Sequence, residues 1–385
     1  MSSHEVQTPS VSGDVYAAEA VVDLAVIAAN ISRFRELYPE GHICVAVKAN
    51  AFGHGAAEVA RVAMASGASM LGFARLSEAL ALRASGQDAP MFAWLNDVAD
   101  HAALAAAADI DISVSGLENL REIAAAHSGV AVHLEVETGL NRGGTSPEDW
   151  AEFIAEARRF EAAGQIRVRG IWSHLSHASD ADISRSRAQD QRLRAAIAAA
   201  REAGLTPEFT HLANSSGVAL IDPTAYNMVR LGAGVYGIDE VGIGLNPAMT
   251  LSARVMQTKR VQAGEGVSYG HTYRAPRDTT LALIAVGYAD GLPWAAHGRA
   301  EVGFAGGRRP VAGRISMDQI MVDMGDLPVA VGDRVTLFGP GTHGEPTAAE
   351  WAGWAGTLEH EIYCGIGSRI NRRYIFSQEE STSDE

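Results

Sequence analysis

The chain has 385 residues, 47% hydrophobic and 20% charged, enough to bury one large core and a second smaller one, which excludes a disordered, fibrous or mini-protein class. Lys plus Arg number 31 against 46 Asp plus Glu, and the formal charge of −15 repels a phosphate backbone, so nucleic acid is not an expected partner. Cys44 and Cys364 are too few for a disulfide framework, MSSHEVQTPSVSGD lacks the basic-then-apolar order of a secretory signal, and no apolar run reaches the roughly 18 residues of a membrane span. A soluble protein in a reducing cytoplasm is expected.

The polar ends, 1–13 and 379–385, lack apolar anchors and are expected to be disordered. AEAVVD (18–23) leads into LAVIAANISRFREL, with Asp23 placed as its N-cap; it reads either as a strand of a later domain or as a lead-in. From residue 42 to about 237, eight apolar runs alternate with helical patterns: HICVAVK (42–48), SMLGFA (69–74), PMFAWL (90–95), DIDISVS (109–115), VAVHLEVET (130–138), RVRGIWSHL (167–175), PEFTHLAN (207–214) and YNMVRLGAG (226–234). Several of the helical stretches close on Gly. Eight βα units predict a (β/α)8 TIM barrel, with its interior filled by Val, Ile and Leu and its site at the C-terminal ends of the strands. An open doubly wound sheet is the alternative, but no GxGxxG follows the first strand. Beyond residue 250 the runs become short, alternating and Gly/Pro-punctuated, with one clear helix near TAAEWAGWAG, which predicts a mainly β domain. The expected boundaries are 14–245 for the barrel and 246–378 for the β domain.

Charged and polar residues at strand ends face the mouth of such a barrel. Lys48 closes the first strand after ICVAV, and an amine against apolar walls has its charged form disfavoured and can attack a carbonyl. The alternative is a lysine snorkelling to solvent. Two glycines bracket His54 in the loop that follows, a turn that lets backbone approach a ligand. HLANSSG ends the seventh strand with Asn214, Ser215 and Ser216 opening a helix, and RLGAG ends the eighth with Gly232 and Gly234. Loops seven and eight are the usual phosphate site of this fold, although a plain N-cap would use the same residues. A carbonyl-seeking amine opposite a phosphate site suits pyridoxal phosphate, and a Schiff-base phosphosugar aldolase would need the same two parts. His174 after the sixth strand could stack on a flat ligand, and Arg142 and Arg230 call for anionic acceptors or salt bridges. No zinc-like His/Cys spacing and no EF-hand pattern appears, so no metal is indicated.

From about residue 18 to 375 the chain resembles the fold-type III alanine racemases, pyridoxal 5′-phosphate (PLP) enzymes with a (β/α)8 barrel and a C-terminal β domain. AVKANAFGHG is similar to the family's PLP-lysine segment and VETGLNRGG to its fifth-strand segment. HLANSSG and NMVRLGAGVYG match its phosphate and ring-nitrogen segments, and GEGVSYGHTY, VGYADGLP and VAGRISMDQ its C-terminal signatures. The resemblance implies that Lys48 carries the cofactor and that Ser215, with the backbone of Gly232 and Ala233, binds its phosphate. Phe52, Asn214 and His360 would lie around the cofactor, with His174 behind the ring, Arg230 at its nitrogen and Arg142 at its phenolic oxygen. Arg142, Met317, Tyr288 and Asp318 would form the substrate surroundings. Lys48 and Tyr269 would exchange the α-proton on opposite faces, Lys48 serving the D-isomer and Tyr269 the L-isomer. Tyr269 and Met317 would come from the second chain of a head-to-tail homodimer. The implied activity is racemisation of alanine, supplying D-alanine for peptidoglycan.

The resemblance also argues against other PLP functions. A decarboxylase of this fold would carry a carboxylate in place of Arg230, and PLP-homeostasis proteins are single barrels. Four positions depart from the family: Phe52 for a Tyr, Glu135 for a commonly carbamylated Lys, Trp294 for an Arg and His360 for a Tyr beside the substrate. Glu135 is expected to supply negative charge to Arg142, with a surface salt bridge as the alternative. His360 leaves open a racemase of serine or of broader specificity.

Overall fold

The computed structural model describes residues 16–96, 99–180, 182–220, 222 and 225–377. The ends at 1–13 and 379–385 lie outside the described residues. Contacts divide the chain into two compact units: Asp23–Ala248 with the residues from Ile375 onward, and Met249–Tyr374 with the residues up to Val22.

The N-terminal strand β1 (Ala18–Asp23) pairs antiparallel with β10 (Met249–Val261), Ala18 opposite Ala253 and Val22 opposite Met249. This decides between the two placements of AEAVVD: the strand, grouped with the barrel by the expected boundaries, belongs to the β unit. Asp23 caps the helix Leu24–Leu37, its carboxylate accepting the Ala25 N–H at 2.9 Å, as read from sequence.

The first compact unit is a closed parallel barrel of β2 (His42–Ala46), β3 (Met70–Arg75), β4 (Met91–Leu95), β5 (Ile110–Val114), β6 (Val130–Glu135), β7 (Ile166–Trp172), β8 (Phe209–His211) and β9 (Met228–Leu231). Every run named from sequence supplies one strand, and β9 closes on β2 with His42 opposite Met228. The strands are continuously apolar because both faces are covered, one by the interior and one by helices. The helix Trp150–Ala162 shows the other half of the pattern, burying Trp150, Phe153, Ile154, Ala157 and Phe160 at helical spacing. Gly67, Gly86, Gly164 and Gly204, each just past a helix, all have positive φ, the left-handed stop the sequence suggested.

One expectation fails. The interior is not filled by Val, Ile and Leu alone: Cys44, Met70, Phe92, Trp172, Phe209 and Met228 form an apolar cluster there. Asp111, His133, His211 and Arg230 are buried among the same strands.

The second unit is built on an antiparallel sheet that joins β1 and β10 to β13 (Thr279–Ile284), β14 (Glu301–Phe304), β15 (Gly307–Pro310), β16 (Ile320–Gly325), β17 (Arg334–Phe338) and β18 (Asn371–Ile375), with β11 (Gly266–Val267) and β12 (Tyr273–Arg274) forming a separate two-stranded pair. The main order is β15-β14-β17-β10-β1-β18, with β13 linking β10 to β16. The helix around TAAEWAGWAG spans Ala348–Ala355 behind a Thr347–Glu350 capping box. A second helix, Glu359–Gly365, was not read from sequence; Leu358 precedes it and supplies no side-chain cap, so its start carries no signal. Among the described residues no helix is long and apolar enough to cross a membrane.

Candidate active site

β2 ends at Ala46, two residues earlier than the sequence reading, and Lys48 opens a turn of unusual hand. Ala49, Asn50, Ala51 and Phe52 all have φ between 52° and 55°. This is a left-handed helical turn made without glycine, which costs roughly 1–2 kcal/mol per residue. Its surroundings hold it. The Ala49 N–H donates to Glu78 Oε1 at 2.7 Å, and Asn50 Oδ1 accepts the Ala56 N–H at 2.9 Å. His54 Nδ1 lies 3.0 Å from the Phe52 carbonyl, and the rings of Phe52 and His54 each lie 4.7 Å from that of Tyr236. The Tyr236 hydroxyl donates to the Ala46 carbonyl at 2.7 Å, tying the ring to the end of β2. The turn therefore aims Lys48, whose Nζ sits 5.8 Å from the Phe52 ring and 5.5 Å from that of Trp94.

Beside this turn, on the strand β9 that pairs with β2 and on its neighbour β8, the loops after β8 and β9 meet through Ser215. Its Oγ accepts the N–H of Gly232 at 2.9 Å and that of Gly234 at 3.2 Å. The segment after β8 opens with a 3-10 turn, Gly217–Ala219, rather than the expected helix. Asn214 Oδ1 accepts the Gly217 N–H, and the Ser216 hydroxyl donates to Glu240 instead of capping. Gly234 is small for a reason other than a ligand: a Cβ there would lie 2.5 Å from the Phe34 ring. Ala233 lies between the two glycines, at the start of the 3-10 turn Ala233–Tyr236.

The charged centre lies on the same pair of strands, where Arg230 stands opposite Cys44 of β2. Arg230 is buried in β9; its Nη1 donates to His211 Nδ1 at 2.8 Å, and its Nη2 donates to the Ser173 carbonyl at 2.8 Å and to His174 Nδ1 at 3.2 Å. Burial brings the Arg230 guanidinium down to about 10, so it remains a cation at neutral pH. Burial, and then the charges of Arg230, Arg142 and Lys48, push the His174 imidazole down to about 3. His174 thus feels the charges of Arg230, Arg142 and Lys48 together. Arg142 is exposed on the loop after β6.

Glu135 is not at a surface salt bridge. It is buried, accepts a hydrogen bond from the Ser115 hydroxyl, and has its carboxyl raised by burial against that bond and the charges of Arg230 and Arg142. Its direct partner is thus Ser115, with Arg142 acting at longer range. A groove of about 1090 Å³ beside these residues is lined by Trp94, Asn96, Ser115 and Asn119.

The second unit carries Tyr269, Tyr288, Met317, Asp318 and His360. Tyr269 is 69% exposed on a strained turn, with Ser268 at φ 61° before it and His271 at φ 45° after it. The Ser268 hydroxyl donates to the Arg314 carbonyl at 2.8 Å, which fixes the turn on the neighbouring segment. Tyr288 and Met317 lie on two loops in close contact: the Tyr288 N–H donates to Ser316 O, and the Ala289 N–H to Met317 O. A Cβ on Gly287 would stand 2.3 Å from the Met317 carbonyl, so only glycine allows that approach. Arg369 bridges both loops, reaching Asp290 at 3.2 Å and Asp318 at 2.7 Å, so Asp318 is engaged in an ion pair. Trp294 is half-exposed with its ring against His297, and His360 is the second residue of the helix Glu359–Gly365.

The family models for the alanine racemase N-terminal domain and the alanine racemase C-terminal domain match residues 22–240 and 248–374. The alanine racemase of Thermobifida fusca is 43% identical over 365 residues, 93% of this chain and 98% of that protein. The alanine racemase of Mycobacterium tuberculosis is 44% identical over 93% of this chain and 96% of its own length. The crystal structure of the alanine racemase from D-cycloserine-producing Streptomyces lavendulae superposes with a TM-score of 0.90 at 40% identity, covering 94% of this chain and 98% of that one.

The chain belongs to the alanine racemase family. Both domains of the family are present in order, which removes the single-barrel alternative and the aldolase. Around these groups the structure places residues that sequence reading missed. Trp94 flanks Lys48, Tyr236 braces its turn, Ser115 holds Glu135, and Asp111, His133 and His211 lie beneath Arg230. For Asp111, His133 and His211 the signal was a titratable residue inside a strand, in IDI, VHL and THL; Trp94, Ser115 and Tyr236 carried none.

Proposed function

We propose that the protein is an alanine racemase using pyridoxal 5′-phosphate, with Lys48 and Tyr269 as its two proton-transfer groups. The observation that carries this reading is the convergence of the Lys48 amine, the Arg230–His174 pair and the Ser215 cradle on one barrel. The donor set fits the cofactor: an amine for an aldehyde, a serine hydroxyl whose oxygen is held by the Gly232 and Gly234 N–H groups and whose own O–H can donate to a phosphate, and a buried guanidinium for a ring nitrogen.

In this reading Ser215, Gly232 and Ala233 hold the phosphate, with Asn214 shaping their turn and His360 and Phe52 adjoining. His174 backs the ring and Arg142 meets the phenolic oxygen. When bound, the cofactor ring takes up the electron pair left at Cα as the α-proton departs. Lys48 then moves the proton on the face that serves D-alanine, and Tyr269 on the face that serves L-alanine. Arg230, a cation with donors and no acceptor, would offer an N–H to the ring nitrogen and no group to protonate it.

Tyr269, Tyr288 and Met317 are exposed by 69%, 43% and 52%. This supports a head-to-tail homodimer in which a second copy covers them and Tyr269 serves the neighbour's site. A cytoplasmic enzyme supplying D-alanine for peptidoglycan accords with the family reading. A racemase of another amino acid is not favoured, since the relatives at 43–44% identity are named alanine racemases.

Chiral chromatography of the PLP-loaded protein on L-alanine tests the proposal. Conversion to an equal mixture, abolished in Lys48→Ala, is the expected result; faster turnover of serine than of alanine, or an active Lys48→Ala, would overturn it.

A further inference from the structure

A line of buried side chains leaves Arg230 and crosses the barrel away from Lys48. Arg230 Nη1 lies 2.8 Å from His211 Nδ1, His211 Nε2 lies 2.8 Å from His133 Nδ1, and His133 Nε2 lies 3.1 Å from Asp111 Oδ2. Arg169 Nη1 then contacts both Asp111 oxygens at 3.0 and 3.1 Å, and its Nε reaches Glu208 at 2.8 Å. Glu208 precedes β8, so the line emerges at the N-terminal end of the strands, whereas Lys48 follows the C-terminal end of β2. His133 and His211 are fully buried and Asp111 is 2% exposed.

The ends of this line dictate its middle. A guanidinium only donates and a carboxylate only accepts, while a neutral imidazole has one nitrogen of each kind. His211 Nδ1 must therefore accept from Arg230, which leaves the His211 proton on Nε2. His133 Nδ1 must accept from that group, which leaves the His133 proton on Nε2, pointing at Asp111. A single tautomer pair satisfies all three bonds; any other leaves a buried donor facing a donor. The rings cannot swing out of line: His133 stacks on Phe92 at 4.4 Å and 24°, His211 is parallel to Trp172 within 10°, and the Arg230 guanidinium carbon lies 4.7 Å from the Trp172 ring. Burial would raise the Asp111 carboxyl, but the hydrogen bond from His133 and the hydrogen bonds and charge of Arg169 outweigh it and hold the group ionised.

We propose that Asp111 is a positioning residue for Arg230, acting through His133 and His211: its carboxylate locks both imidazoles in the Nε2–H tautomer and so fixes which way Arg230 presents its remaining N–H groups. The inference rests on the reading that Arg230 faces the cofactor's ring nitrogen. It adds that the orientation of Arg230 is set from the opposite end of the barrel.

The test is nitrogen-15 NMR of the histidine-labelled holoenzyme at neutral pH, joined to kinetics of Asp111→Asn, which keeps an acceptor oxygen but removes the charge. In the wild type, His211 and His133 should each show a protonated Nε2 and a bare Nδ1. In Asp111→Asn the His211 Nδ1 signal, two links from the change, should shift, and kcat should fall about tenfold with KM within about twofold. An Nδ1–H or doubly protonated imidazole in the wild type would overturn the proposal. So would a loss of kcat with the His211 signal unmoved, which would mark Asp111 as merely structural. If Asp111→Asn does not fold, the wild-type spectrum decides. The same spectrum of cofactor-free protein separates the two readings: failure to bind PLP with the tautomers as stated would defeat the functional proposal and leave the lock standing.

Discussion

His174 offers a sharp electrostatic test. Its imidazole is largely buried, accepts from Arg230 Nη2 at 3.2 Å, and feels the charges of Arg230, Arg142 and Lys48, which together with burial bring it from the usual 6.5 to about 3. The sign follows from linkage. The folded value is depressed, so below pH 6.5 the unfolded chain binds a proton that the folded chain refuses; the stability is fully present above pH 6.5 and is lost as pH falls towards 3. The slope is roughly 1.4 kcal/mol per pH unit, which makes about 2 kcal/mol between pH 6.5 and pH 5. His174→Gln removes this titration, so the wild type should gain about 2 kcal/mol relative to the variant on going from pH 5 to pH 7. Urea unfolding of cofactor-free protein across that range measures the difference, and proton NMR follows the imidazole directly. Burial and Arg230 drive His211 in the same direction, so the variant should retain part of the wild-type slope. An imidazole titrating near pH 6, or identical pH slopes in the two proteins, would refute the reasoning.

Three further outcomes are expected. Ser215→Ala removes the acceptor of two backbone N–H groups, at a cost of about 1–3 kcal/mol, and should weaken PLP binding by at least about tenfold; an unchanged absorbance titration would remove Ser215 from the phosphate site. Gly237→Ala places a Cβ 2.1 Å from the Asn246 carbonyl at φ 91°, whereas Gly234→Ala meets side chains only, the Phe34 ring at 2.5 Å and Leu245 Cδ1 at 3.0 Å. Gly237→Ala should therefore lower stability by more than about 2 kcal/mol and by more than Gly234→Ala does, read as urea midpoints. Tyr269→Phe should slow exchange of the α-hydrogen of L-alanine for deuterium far more than that of D-alanine; equal slowing of the two would contradict the assignment of Tyr269 to one face.

The barrel was legible because strands covered on both faces must be continuously apolar, and eight such runs stood between helical patterns. Lys48, Ser215 and Arg230 were legible for the complementary reason, as polar groups where apolar runs stop or should not be broken. The left-handed turn was not, since of its four residues only Asn50 favours positive φ while Ala49, Ala51 and Phe52 do not; Glu78 and Tyr236, distant in sequence, impose it. Asp111, His133 and His211 escaped for a related reason. A polar residue alternating with apolar ones in a strand reads as a residue facing solvent, and only closure of the barrel shows that all three face one another. Glu135 was read as a partner of Arg142, its sequence neighbour, whereas the nearer hydroxyl comes from Ser115 beyond the adjacent strand.

The strained turn after β2 bears on how the site is built. Four consecutive residues of the wrong hand cost roughly 1–2 kcal/mol each, and the compensating contacts run to the fold itself: a carboxylate from Glu78, the Ala56 N–H, and the stacked rings of Phe52, His54 and Tyr236. The direction of Lys48 is thus set by the folded chain before any ligand arrives, as the direction of Arg230 is set by the line below it. A site whose amine and guanidinium are both fixed in advance has little reorganisation left to perform at the moment of proton transfer, which is where preorganised charge is worth most.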